Sequence, residues 1–373
     1  MVTRYPSCLP WPAAEGIGGY SLIDFANGAE CGSPPASAVG SIVCRSRLEP
    51  PTMTQAPMQP DSPVLETSWQ EKAQMFDYRQ AANPIRPGLT EPLRYHQWGA
   101  ELHQSGPTAV LALDLSAELG CSGPATSPGL AAHFLRIQAG EGLKAASNAT
   151  SDLFYVLQGA GELHRAGQHL TWSAGDLFVL PAGETPLLQG HQDSVLYWVH
   201  DGPLLTHLGV EATLPRFQAT HYPAALLQGE LDQLLADPTA ARSNRLSLLL
   251  ANSDLPQSRT VTHTLWAMLG VVPPGAVQPP HRHQSVALDL IIDCDPGCYT
   301  LVGTELDASG QIANPRRIDW QSGGAFITPP GHWHSHVNTS DRMARLLPIQ
   351  DSGLHTYLRS LDIRFAGGLQ GDA

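Results

Sequence analysis

The chain is short of charge, and of positive charge above all. Asp, Glu, Lys and Arg make up 15% of its 373 residues, where a typical globular chain carries about 25%. Only 21 residues are basic against 34 acidic, a formal charge of −13. No Lys/Arg cluster stands out, so neither nucleic acid nor an anionic membrane is expected as a partner. No apolar run reaches the roughly 18 residues needed to span a bilayer. The opening residues lack a compact apolar stretch after Arg4, so no secretory signal is read. No CxxC pair occurs either. The six cysteines (Cys8, Cys31, Cys44, Cys121, Cys294, Cys298) are scattered, as reduced thiols are, and a cytoplasmic location is expected. There is also no helix-turn-helix pattern.

Gly and Pro are plentiful, at 35 and 32. Both interrupt helices and long strands, which excludes a long-helix bundle or coiled coil. With 42% hydrophobic residues the chain can still bury a core, in roughly two domains. A turn-rich, mainly β protein remains.

Residues 1–60 are rich in Gly, Pro, Ser and Ala without periodicity and are predicted to be a disordered tail, with Met53 or Met58 as the expected true start. Residues 61–105 are predicted to form a helical arm, including a helix over 67–80 opened by Thr67 or Ser68. Short apolar runs separated by Gly-bearing turns fill 106–206 and again 256–366, the pattern of a sandwich or barrel. Between them 207–255 reads as a helical spacer, with apolar positions three and four apart over 223–242. Residues 367–373 are a tail. Two strand blocks of similar length imply an internal duplication.

The second block carries Gly275-Ala-Val-Gln-Pro-Pro-His281-Arg-His283. Strand alternation puts the two histidines on one face, about 6.6 Å apart along the backbone, where both can meet one metal ion. Further on comes Gly323-Gly-Ala-Phe-Ile-Thr-Pro329-Pro-Gly331-His-Trp-His334-Ser-His336-Val-Asn338. A His-x-His pair alone carries little information in a chain with 16 His. Together, however, the segments resemble the paired signature motifs of the cupin superfamily. The resemblance implies two cupin barrels of the double-stranded β-helix (jelly-roll) type, joined by the helical spacer, and three converging metal ligands: His281, His283 and His334. Three inward imidazoles without a metal would need partners for six ring nitrogens. His332 is out of strand phase and reads as a turn residue. The superfamily's fourth ligand, Glu, falls at Ala287 or Leu288 and is missing. Asp289 shares parity with His281 and His283 and is the candidate remote carboxylate, or else a structural Asp.

Three His without Glu, the run His281-Arg-His-Gln-Ser-Val-Ala-Leu-Asp289, the Gly297-Cys-Tyr-Thr strand and Trp333-His-Ser-His-Val-Asn together look like the gentisate 1,2-dioxygenase group. That resemblance implies a bicupin Fe(II) ring-cleaving dioxygenase, with a small chelating hydroxy-aromatic substrate and O2 as partners and a homo-oligomeric assembly. By position, His336 matches a histidine that contacts substrate or oxygen, and Gln284 lies near a pocket residue. The group carries an Arg where this chain has Asp289. A carboxylate there repels an anionic substrate, which counts against gentisate itself. Arg342 and Arg345 are candidate replacements for the cation or ordinary surface residues. The first block keeps the motif spacing (Gly140, Gly159, Gly175, Pro181, Gly183) but places Ala146, Asn148, Asp152 and Pro186 at the ligand positions. It is expected to be a metal-free cupin, although in gentisate dioxygenases the first cupin holds the iron. The alternatives are a Zn, Mn or Ni isomerase or hydrolase with Asp289 or His336 as base, and a non-catalytic metal- or small-molecule-binding module.

Overall fold

The computed structural model describes residues 69–240 and 245–367. The expected 1–60 tail, Cys8, Cys31, Cys44 and residues 368–373 lie outside the described residues. The chain divides into two compact units, Met1–Ala73 and Gln74–Ala373. Of the first only 69–73 are described, a turn over 69–72 closed by the Ala73 N–H donating to the Gln70 carbonyl.

The second unit holds both strand blocks. In the first block a six-stranded antiparallel sheet runs Thr220–Tyr222, Leu177–Pro181, Ser151–Gln158, Ser194–His200, Ala131–Ile137, Ala109–Ala112. Against it lies a four-stranded sheet of Gly142–Lys144, Leu187–Gly190, Ala160–Arg165 and Gln168–Ser173. The second block repeats the plan. Its six-stranded sheet runs Gln97–Trp98, Ala325–Thr328, Ala287–Asp293, Ala344–Gln350, Trp266–Val272, Leu246–Leu250. Its smaller sheet runs Arg316–Asp319, Cys298–Gly303, Trp333–Asn338, His281–Arg282, Arg364–Phe365. One feature is non-local. Gln97–Trp98 precedes the first block in the chain yet pairs with Phe326 and Ala325 of the second. Thr220–Tyr222, from the spacer, completes the first block's sheet against Leu177–Val179. The two blocks thus each complete an edge with a strand from outside their own strand run.

Alternation along the strands serves two interiors. Leu153, Tyr155, Tyr197 and Val199 share one apolar cluster with Leu265, Ala267, Leu288, Leu290, Leu347 and Ile349, so a single core joins the two blocks. Their neighbours Phe154, Val156, Leu196 and Trp198 belong instead to a cluster with Leu163, Trp172 and Leu188 inside the first block. In the second block the corresponding inward positions include Ala287, Asp289, Pro348 and Gln350, which line a small cavity.

Four expectations are corrected. The blocks are not closed barrels: among the described residues no ladder joins the two sheets of either one. Proline contributes to this, since Pro273-Pro274 and Pro279-Pro280 supply no N–H where the chain crosses between sheets. Thr67 and Ser68 lie outside the described residues, and over 69–80 the expected helix is found only at Tyr78–Ala81, capped by Asp77, whose carboxylate accepts from the Arg79 N–H at 3.0 Å. Trp69, Met75 and Phe76 are exposed, and a short helix without a packed face is not stable in water. The spacer helix is Ala224–Ala236, burying Leu227 and Leu231. It stops at Asp237 because the next residue is Pro238, which disfavours helical geometry just before it. The spacer also contributes strands Thr220–Tyr222 and Leu246–Leu250. Among the described residues no helix is long and apolar enough to cross a membrane. Cys121, Cys294 and Cys298 are free thiols.

Leu290 is fully buried in the shared core. Leu290→Ala should therefore cost about 2–5 kcal/mol. Urea unfolding would show this as a lower midpoint at unchanged slope.

Candidate metal centre

His281 and His334 are Cα partners across the antiparallel pair of His281–Arg282 and Trp333–Asn338, which stacks their side chains on one face. Their ring centroids are 3.9 Å apart. His283 lies just past the strand end, with ring centroids 5.5 Å from His281 and 5.0 Å from His334. The turn before Trp333–Asn338 needs Gly331, whose φ of 76° suits glycine, and the Gly331 N–H donates to the His283 carbonyl. One donor atom from each of the three histidines falls within 4.8 Å of the others, a group that could hold a metal ion.

The hydrogen bonds around these rings decide which nitrogens can bind a cation. His283 Nδ1 sits 2.9 Å from the Ser285 carbonyl, which can only accept, so the ring donates there and its lone pair is on Nε2. Ser285 is held in turn by Gln350 and Ser352. Nε2 of His283 is buried and has no protein partner. His334 Nδ1 donates to the His332 carbonyl at 3.1 Å, which likewise leaves its lone pair on Nε2. An orphaned buried lone pair beside a second one is what a metal would satisfy. Burial holds His281 and His334 well below the usual imidazole range, helped by the other imidazoles around them, and burial brings His283 down to about 4. At neutral pH the rings are therefore uncharged, the form in which an imidazole can ligate a metal. His281 differs in one respect: its Nδ1 meets Nη2 of Arg245. Ligation through Nε2 of His281 requires the proton on Nδ1, which a guanidinium donor opposes, so Arg245 has to turn aside when a cation binds.

The other expected residues divide. His336 is buried and lines the cavity with His281, His334, Asp289 and Arg245. Its Nδ1 is 2.8 Å from Thr300 Oγ1, which accepts from Trp320 Nε1. In the tautomer where the threonine hydroxyl donates, His336 presents N–H at Nε2. Asp289 is buried in the same cavity and accepts from Thr328 Oγ1 at 2.8 Å. Burial raises its pKa to about 7, and Arg245 opposes the rise. It is not one of the clustered donor atoms. Gln284 does not line the cavity: its Oε1 accepts from the Asp362 N–H. Arg342 pairs with Asp293 and Asp295 on the surface, and neither it nor Arg345 reaches the cavity. His332 contributes its carbonyl, as above. In the first block Asp152 is buried under bonds from Trp198 Nε1 and Ser147, while Asn148 is exposed and bonded to the backbone of Val210 and Ala212.

Arg245 and Gln278 are among the cavity residues that escaped the sequence reading. Arg245 enters from the strand Leu246–Leu250, outside both motifs, and is a buried cation. Gln278 precedes the Pro-Pro pair and keeps a buried Oε1 without a partner. An apolar strand preceded by one Arg was the only signal for the first, and there was none for the second.

No protein-family model matches the chain. A curated relative, gentisate 1,2-dioxygenase 1 of Aquipseudomonas alcaligenes, is 36% identical over 104 residues, spanning 28% of this chain and 26% of that protein. The match thus covers about a quarter of the relative's length. Salicylate 1,2-dioxygenase from Pseudaminobacter salicylatoxidans superposes with a TM-score of 0.61 at 13% identity, covering 83% of this chain and 100% of the other. A gentisate adduct of that enzyme gives 0.61 at 15% identity, covering 83% and 96%. The fold is therefore that of these dioxygenases, carried over nearly their whole length.

Asp289 has a folded pKa above its unfolded value, so its contribution to stability is complete below about pH 4 and lost as the pH rises through about 7. Asp289→Asn should leave the melting temperature of metal-free protein near wild type at pH 4. It should raise it increasingly toward pH 8. Scanning calorimetry across that range checks the sign.

Proposed function

We propose that this chain is a bicupin non-haem Fe(II) dioxygenase acting on a small chelating hydroxy-aromatic substrate in its C-terminal half. The observation that carries the reading is the three-histidine group with His283 Nε2 buried and unpartnered beside a cavity that also holds Arg245 and His336. The donor set of three imidazoles suits Fe(II), as it also suits Zn, Ni or Cu. His281, His283 and His334 would hold the metal, and Fe(II) bound there would supply open positions for a chelating substrate and O2 and an electron path between them.

The residues around it supply binding and orientation. Arg245 is the cation for a substrate carboxylate, in place of Arg342 or Arg345. His336 donates from Nε2 to a substrate oxygen, and Gln278 Oε1 accepts from a ring hydroxyl. Met268, Leu346 and Pro348 give the cavity apolar walls that keep bulk water out. The open space is about 20 Å³, room for about one water molecule, so an aromatic acid enters only as Arg245 leaves His281 to meet it. Asp289 offsets the charge of Arg245, which favours substrates with fewer negative charges or with a donor group facing that carboxylate.

One observation favours a second reading. A carboxyl with pKa about 7 in the cavity is suited to general base work, as in a Zn, Mn or Ni isomerase or hydrolase. Metal analysis of anaerobically purified protein, with oxygen uptake on a panel of hydroxybenzoates, separates the two. Iron with uptake supports the dioxygenase, and tight zinc without uptake rejects it. His334→Ala should lose the bound metal under either reading, and retention would overturn the site. Arg245→Met should raise KM about tenfold or more, as expected for losing a charged hydrogen bond of about 1.5–3 kcal/mol.

A further inference from the structure

The first block, whose motif positions hold no ligands, carries a different cluster on its outer surface. Along Ala160–Arg165 the side chains of Leu163 and Arg165 are buried, while Glu162 and His164 face outward. His169, on Gln168–Ser173, is the Cα partner of His164. His191 follows Gly190, which pairs with Gly161 on the other flank. Three strands therefore deliver three imidazoles to one carboxylate. His164 Nε2 lies 3.0 Å from Glu162 Oε1, and His169 and His191 Nε2 lie 2.9 and 3.8 Å from Oε2. Donor atoms of Glu162, His164 and His169 all fall within 4.8 Å of one another.

These separations bracket the edge of a tetrahedron. Ligands bound at about 2.0–2.1 Å stand about 3.3 Å from one another. The carboxylate and the Nε2 atoms of His164 and His169 thus offer three donors close enough for one ion, with His191 Nε2 3.8 Å from Glu162 Oε2 beside them. The proton balance is simple. Each imidazole that now donates from Nε2 moves its proton to Nδ1 and offers the Nε2 lone pair, with no net proton released. The backbone under the cluster is fixed by ladder bonds on both flanks of Ala160–Arg165, so little ordering remains to be done on binding.

From this geometry we propose a second metal site, for a borderline divalent cation such as Zn2+, formed by Glu162, His164 and His169 on the outer face of the first block, with His191 beside them and water completing the coordination. It is independent of the proposed dioxygenase site and of its metal. A cation there ties together two strands of the smaller sheet and gives the first block a response to zinc.

The test is equilibrium dialysis of the EDTA-treated full-length chain against Zn2+, with total bound metal measured for each variant. His164→Ala/His169→Ala should bind one equivalent less than wild type, and the same one-equivalent loss should appear when both proteins carry His334→Ala. Glu162→Gln, close in shape to the wild-type residue, should weaken that equivalent at least tenfold. It serves as the readout if the double variant misfolds. Zn2+ should also raise the melting temperature of the His334→Ala protein but not of His334→Ala/His164→Ala/His169→Ala. Equal stoichiometry with and without the hairpin histidines, or no effect of Glu162→Gln, overturns the proposal.

Discussion

The six-stranded sheets are covered on both faces, and that constraint governs the rest of the molecule. Each strand must give one side-chain parity to the shared core and the other to its own interior. In the first block Phe154, Phe178 and Trp198 stack on the inward side, beside a few buried polar side chains such as His133, Asp152 and His200. In the second block the shared-core parity stays apolar, with Leu288, Leu290, Leu347 and Ile349. The inward parity is free to carry Asp289 and Gln350. One face holds the sheet together and the other is released for function.

Burial is also what gives the histidines their chemistry. Removed from water, the imidazoles lose the charged form, and two of them are fixed in one tautomer by carbonyls of their own segment. The same burial makes Asp289 reluctant to ionise and Arg245 reluctant to stay charged, with the pKa of the latter lowered to about 9. Each restrains the shift of the other. The cavity therefore contains a cation and an acid whose states depend on one another, a different electrostatic character from a purely basic anion pocket.

Legibility in the sequence followed sequence distance. His281, His283 and His334 stand in local motifs with turn residues around them, and the structure brings them together. Asp289 follows from strand parity with His281 and His283, and His336 from its position in the family resemblance, and both reach the cavity. Gln284 follows from proximity alone, and its side chain faces the backbone at Asp362 instead. Arg245 and Gln278 come from segments with no motif, so only the folded pairing of Leu246–Leu250 with Trp266–Val272 reveals the arginine. The two-block plan was readable from repeated apolar runs. The exchanged edges were not, because two- and three-residue strands such as Gln97–Trp98 and Thr220–Tyr222 are too short to show periodicity.

Those exchanged edges bear on how the chain is made. As synthesis proceeds from the N-terminus, Gln97–Trp98 emerges with no partner, since Ala325–Thr328 follows more than two hundred residues later. The first block likewise waits for Thr220–Tyr222 to complete its sheet. Cutting the gene between the blocks would therefore leave two half-molecules, each with an open edge and a bare apolar face. The two halves therefore hold one another's edges and faces, and neither is complete as a separate piece.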